Sequence, residues 1–202
     1  MRKMLCIFIG YNNKHLQGCE NDAIIFNNLI KKNFVDSETI LLTGKKVTVL
    51  SLIKIFKKYK DITNLFIYFS GHGYLGGNLD FSDKILNPLE LYELINTYFN
   101  NYLKLFLILD CCYSGSFPLI DNFQKIKSVS IIASCKDNQK SSEIIIKNIN
   151  NETYILGAFT FNLIKLIKQN NLYDIDKWFC LENYPIWEKL EKLINQKITI
   201  IR

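Results

Sequence analysis

The strongest constraint on this chain is a rhythm in which short, unbroken apolar runs are separated by longer amphipathic stretches. A strand buried on both faces reads as a continuous apolar run, whereas a covering helix spaces its apolar residues at about 3.6. Runs of the first kind fall at residues 4–10, 39–43, 65–70, 105–110, 128–134 and 198–201. Between them, residues 22–33 carry Ala23, Ile24, Phe26, Leu29 and Ile30 at helical spacing, and residues 47–58 repeat the pattern with Thr48 as a capping residue. Asn87, Pro88 and Glu90 supply an N-cap, an N1 proline and an N3 carboxylate for a helix running to Phe99. Two further helices are predicted at 157–168 and 185–195. Alternation of this kind predicts an α/β fold with a mostly parallel six-stranded sheet between helical layers.

Composition narrows the class further. With 202 residues, no internal repeat and no Pro- or Ser-rich linker, the chain reads as one domain spanning 1–202. Hydrophobic residues at 49% and charged residues at 22% exclude collagen-like and disordered chains. No run approaches the roughly 20 apolar residues of a membrane helix, and residues 1–10 read as a buried first strand rather than a signal peptide. The net charge of +6 comes from lysines scattered along the chain, without the clustered stripe that nucleic acid requires, so neither nucleic acid nor membrane is expected as a partner. Six cysteines without a CxxC pair predict free thiols, a reducing compartment and a cytoplasmic location.

In a parallel sheet the chemistry lies at the carboxyl ends of the strands. The third run ends in Ser70-Gly71-His72-Gly73, and the fourth in Asp110-Cys111-Cys112-Tyr113-Ser114-Gly115. On neighbouring strands about 4.8 Å apart, His72 and Cys112 emerge together, and an imidazole beside a thiol is the usual way to make a nucleophilic thiolate. The chain holds only two histidines, His15 and His72, and only His72 follows a strand end. The Gly73 and Cys112 amides are placed to donate to an oxyanion. Cys111 is the competing nucleophile, pointing to the opposite side of the strand end from Cys112.

These two segments, Tyr68 to Gly73 and Asp110 to Gly115, resemble the catalytic motifs of metacaspases, within the caspase-like cysteine peptidases. Three more segments agree in order: Leu16 to Ala23, Ala133 to Glu143, and Gly157-Ala158-Phe159-Thr160. The resemblance covers nearly the whole chain. It implies a three-layer α/β/α caspase-like fold, with 1–127 as a large-subunit-like and 128–202 as a small-subunit-like region. It also implies a cysteine endopeptidase in which His72 is base and acid and Cys112 the nucleophile. Its pocket residues fall on Cys19, Asp22, Ser70 and Asp110, where buried carboxylates would pair with Arg or Lys before the scissile bond. Substrates would be proteins or peptides, the enzyme a monomer, and no cofactor is required for the chemistry. Calcium as an activator would draw on Asp80 and Asp83, with Asp121 after the cysteine motif. The alternative is an inactive caspase-like interaction module.

Only residues 116–127 separate the cysteine motif from the next predicted strand, leaving no long linker to cut. Lys125 and Lys127 are the local basic candidates for self-cleavage. The freshly purified protein is therefore expected to give a single intact mass, and quantitative cleavage after either lysine would contradict this.

Overall fold

A computed structural model describes residues 4–34, 36–100, 102–118, 125–147, 151–172, 175–178, 184–194 and 197–201. In chain order the first half contains β1 (Met4–Gly10), α1 (Cys19–Asn33), β2 (Ser37–Thr43), α2 (Val49–Lys58), β3 (Asn64–Ser70), β4 (Gly73–Tyr74), β5 (Asn78–Asp80), β6 (Ile85–Leu86) and α3 (Pro88–Tyr98). The second half contains β7 (Leu103–Asp110), β8 (Ile126–Ala133), β9 (Glu143–Lys147), β10 (Thr153–Gly157), α4 (Ala158–Gln169), α5 (Ile175–Trp178), α6 (Tyr184–Ile194) and β11 (Thr199–Ile201).

Six strands form the central sheet in the order β11-β8-β7-β3-β1-β2. The strands from β8 to β2 are mutually parallel, and β11 pairs antiparallel with β8 at the edge. Successive side chains of a strand face opposite ways, and the core divides accordingly. Leu5, Ile7 and Ile9 of β1 join Leu65, Ile67 and Phe69 of β3 on the face covered by α2 and α3. Cys6, Phe8, Phe66 and Tyr68 take the other face, under α1, α4, α5 and α6. This is the three-layer α/β/α arrangement expected from the apolar rhythm.

Local signals act as anticipated. Thr48 accepts from the Ser51 amide to cap α2. Asn87 and Glu90 form a reciprocal capping box around Pro88 at the start of α3. The departures are local too. Helix α1 begins at Cys19 rather than at residue 22, its first turn closed by the Asp22 amide donating to the Gly18 carbonyl at 2.9 Å. Two small sheets, β4-β5-β6 and the β9-β10 hairpin, were not foreseen. Strands of two or three residues carry no readable periodicity, and β9 and β10 pair only with each other. Cys180 and Asp121 lie outside the described residues, as does part of the segment between the cysteine motif and β8. Among the described residues, no helix is long and apolar enough to cross a membrane, and five cysteines are free thiols.

Phe8 is fully buried, with the rings of Phe26 and Phe66 at 5.6 and 5.7 Å between centroids. Phe8→Ala should cost about 3–5 kcal/mol in urea denaturation, whereas Leu50→Ala, at a side chain 56% exposed, should change stability by less than about 0.5 kcal/mol.

Candidate active site

Strands β3 and β7 pair in parallel register with Ser70 opposite Asp110, so His72 and Cys112 each follow two residues beyond a matched pair. The Gly71 amide donates to the Asp110 carbonyl at 3.4 Å, carrying the pairing one step past the strand ends. Beyond it the two backbones converge. A Cβ at Gly73 would overlap the Cys112 carbonyl oxygen and come within 2.9 Å of Cys111 Sγ, so only glycine fits beside the cysteine motif.

The two adjacent cysteines have different fates. Cys111 is 2% exposed and belongs to the core under α2 and α3, with its thiol held well above the ordinary range chiefly by burial. Cys112 is half-buried and lines a cleft. Burial raises its thiol as well, opposed by a hydrogen bond from the Ser141 backbone amide and by the charge of Lys140.

His72 places its Nε2 at 2.9 Å from Asn13 Oδ1. The same oxygen accepts the His15 amide at 2.9 Å, which fixes it as the acceptor end of the Asn13 amide. Nε2 therefore carries the ring proton and Nδ1 is left as the basic nitrogen. Tyr74 stacks near His72, with 6.4 Å between centroids. Burial holds the imidazole below its ordinary value, with Asp80 and Glu143 opposing and His15 adding to the shift. His72 is not among the residues lining the Cys112 cleft.

That cleft, of about 20 Å³, is walled by carboxylates. Asp22 Oδ1 and Oδ2 accept the Gly157 amide at 2.9 and 3.0 Å, and Oδ2 also accepts Ser70 Oγ at 2.9 Å. Asp110 Oδ1 accepts Ser141 Oγ at 2.7 Å, while Oδ2 accepts Thr160 Oγ1 at 2.7 Å and the Thr160 amide at 3.2 Å. Glu143 Oε1 accepts the Gln17 and Gly18 amides at 3.0 and 2.6 Å. Gly157 lies between the two aspartates, since a Cβ there would overlap Asp110 Oδ2 and approach Asp22 Oδ2 to 2.9 Å. Asp22 and Asp110 are 1% and 4% exposed. Both are held above the usual carboxylate range, by burial first and, at Asp22, by the charge of Asp110. Cys19 also lines the cleft, with its thiol raised by burial.

All four residues expected in the substrate pocket, Cys19, Asp22, Ser70 and Asp110, thus meet in one cleft with Cys112. Asn13, Ser141, Glu143, Gly157 and Thr160 were not assigned roles from the sequence. The last four lie in segments that carry the family resemblance, whereas Asn13 is one of 22 asparagines and has no distinguishing signal. Asp80 and Asp83 do not converge on a metal site. Both oxygens of Asp83 accept the Val49 amide, at 3.2 and 3.1 Å, at the start of α2, and Asp80 Oδ2 faces the Asn13 amide nitrogen at 3.5 Å. Among the described residues, no group of three His, Cys, Asp or Glu could hold a metal ion.

The α/β/α sheet, with His72 and Cys112 following adjacent strand ends and an acid-walled cleft beside Cys112, has the architecture of a caspase-like cysteine peptidase. The Peptidase C13 family model matches residues 9–180, and the chain belongs to that family. Protein GSU0716 from Geobacter sulfurreducens superposes with a TM-score of 0.67 at 18% identity, over 98% of this chain and 92% of its own. Caspase-1 from Spodoptera frugiperda superposes with a TM-score of 0.54 at 14% identity, over 83% and 69%. No curated protein matches the chain. These relationships carry the caspase-like part of the sequence resemblance. The family matched is C13 rather than the narrower metacaspase type.

The acid pair also affects stability. Because the folded chain holds these protons more tightly than the unfolded chain, stability falls as pH rises from the unfolded carboxylate value near 3.8 through the raised folded range. An Asn at position 22 keeps an acceptor for the Gly157 amide and removes one charge. Asp22→Asn should therefore raise stability at pH 8 and flatten its dependence on pH, as read from urea midpoints between pH 4 and 8.

Proposed function

We propose that this protein is a cysteine endopeptidase that cleaves after Arg or Lys. The observation that carries the reading is the cleft beside Cys112, walled by Asp22, Asp110 and Glu143, with no Lys, Arg or His lining it among the described residues. A buried guanidinium or ammonium entering there meets carboxylates already aimed by hydrogen bonds, and its charge lowers their raised affinity for protons. An acidic side chain would meet like charge instead.

In the proposed reaction Cys112 Sγ attacks the carbonyl carbon of the bond following the basic residue, and its proton passes to His72 Nδ1. In this proposal the oxyanion is held by the Gly73 and Cys112 amides. His72 then gives the proton to the leaving amine. Water, activated in turn by His72, hydrolyses the thioester and frees Cys112. Asn13 acts as a positioning residue, holding the His72 ring by its Nε2 proton. With the thiol raised and the imidazole lowered, the resting pair is neutral near pH 7, and proton transfer accompanies attack. We further propose a monomeric, single-domain cytoplasmic enzyme acting on proteins or peptides. In this proposal the chemistry itself needs no cofactor and no step uses calcium.

Reporter peptides ending in Arg, Lys, Asp or Asn separate the possibilities. Turnover should be confined to Arg and Lys and fall by about a thousandfold or more in Cys112→Ala, with no dependence on added calcium. Preference for Asp would overturn the pocket assignment, and absence of Cys112-dependent turnover on every reporter would favour the interaction-module reading. Asn13→Ala should lower kcat about ten- to a hundredfold with little change in KM. In the wild type, the acid limb of kcat/KM should lie below pH 6.5, the ordinary imidazole value.

A further inference from the structure

A second concavity, on the side of the molecule covered by α1 and α4, takes no part in the peptidase chemistry. Its volume is about 380 Å³, within the roughly 300–1,000 Å³ common for small-molecule sites. The apolar wall is built by Ile25 of α1, Ile146 of β9, and Phe161 and Ile164 of α4, with the β10 side chains Tyr154 and Leu156 completing it. On α4, Phe161, Ile164, Lys165 and Lys168 fall at helical spacing and share one face. Leu163, Ile164, Leu166 and Ile167 belong to the buried core, so on the groove side Ile164 is buried and Phe161 half-buried.

Lys165 and Lys168 line this groove, both exposed, and among the described residues no Asp or Glu lines it; Glu152 accepts from the hydroxyl of the lining Tyr154 at 2.8 Å. Among the described residues neither has an ion-pair partner. Their aliphatic stems extend the apolar wall while their ammonium groups remain at the rim. The shape is concave and closed along one side by the hairpin, unlike the protruding apolar face by which a helix lies on a bilayer. The same elements also reach the Cys112 cleft: Leu156 adjoins Gly157, Phe161 adjoins Thr160, and Ile25 is one turn from Asp22.

We propose that this groove binds a free single-chain anionic amphiphile of the fatty-acid type, with its hydrocarbon chain against Ile25, Ile146, Phe161 and Ile164 and its carboxylate on Lys165 and Lys168. The assignment is independent of the peptidase reading, because it uses none of the residues proposed for catalysis.

Isoleucine methyl NMR on the full chain tests it, with decanoate below its micellar concentration, decan-1-ol and decyltrimethylammonium as probes. Decanoate should shift the Ile25, Ile146 and Ile164 methyl signals saturably and bind at least tenfold more tightly than either of the other two. The double variant Lys165→Glu, Lys168→Glu should weaken decanoate at least tenfold and leave decanol within twofold, with unchanged Ile7 and Ile67 signals showing an intact core. Equal affinity for decanoate and decanol, or shifts confined to other isoleucines, would overturn the proposal. So would co-sedimentation with phosphatidylglycerol vesicles without binding of free decanoate, which would mark a membrane-facing surface instead.

Discussion

Two buried carboxylates on either side of one glycine form the constraint on which the rest of this site depends. Asp22 comes from α1 and Asp110 from the end of β7, and Gly157 at the junction of β10 and α4 separates them. Neither can be left without donors in so dry a place. Ser70, Gly157, Ser141 and Thr160 supply them, and in doing so tie β3, β10, α4 and the segment before β9 to one point. These donors compensate the charges only partly, since both carboxyls remain above their ordinary range.

The placement of His72 and Cys112 follows from the sheet rather than from any long-range coincidence. Parallel register between β3 and β7 aligns Ser70 with Asp110, and the next two residues on each strand lead to His72 and Cys112. Alternation then separates the cysteine pair, with Cys111 directed into the apolar core and Cys112 left at the cleft. The absence of a side chain at Gly73 lets the two backbones meet. Asn13, beyond the end of β1, reaches across to fix the imidazole. Three adjacent strands, β1, β3 and β7, thus each deliver one polar group to the same edge of the sheet.

Much of this was legible in the residues themselves, for identifiable reasons. Strands buried on both faces announce themselves as apolar runs, which is why β1, β3 and β7 were legible to within a few residues; β2 and β8 are less buried, and shorter apolar runs marked them. Asn87, Pro88 and Glu90 marked a helix start because capping chemistry is local. The hairpin β9-β10 escaped because its pairing is antiparallel and separate from the main sheet, so no alternation with helices signals it. Thr160 and Ser141 escaped for a different reason: a hydroxyl becomes a carboxylate donor only when folding brings it there. Asn13 carries no pattern at all, and only its distance from His72 identifies it. Asp83, expected as a calcium ligand, accepts the Val49 amide at the start of α2, a contact that no sequence pattern signals.

The central claim is that the acid-walled cleft selects a positive side chain and presents the neighbouring carbonyl to Cys112. The most direct measurement compares inactivation by two peptidyl chloromethyl ketones that differ only in ending with arginine or with citrulline, its uncharged isostere, and maps the adduct by mass spectrometry. The account predicts alkylation at Cys112, much faster with arginine, and a smaller difference between the two reagents in Asp22→Asn. Equal rates for the two reagents, or an adduct on Cys111, would contradict it.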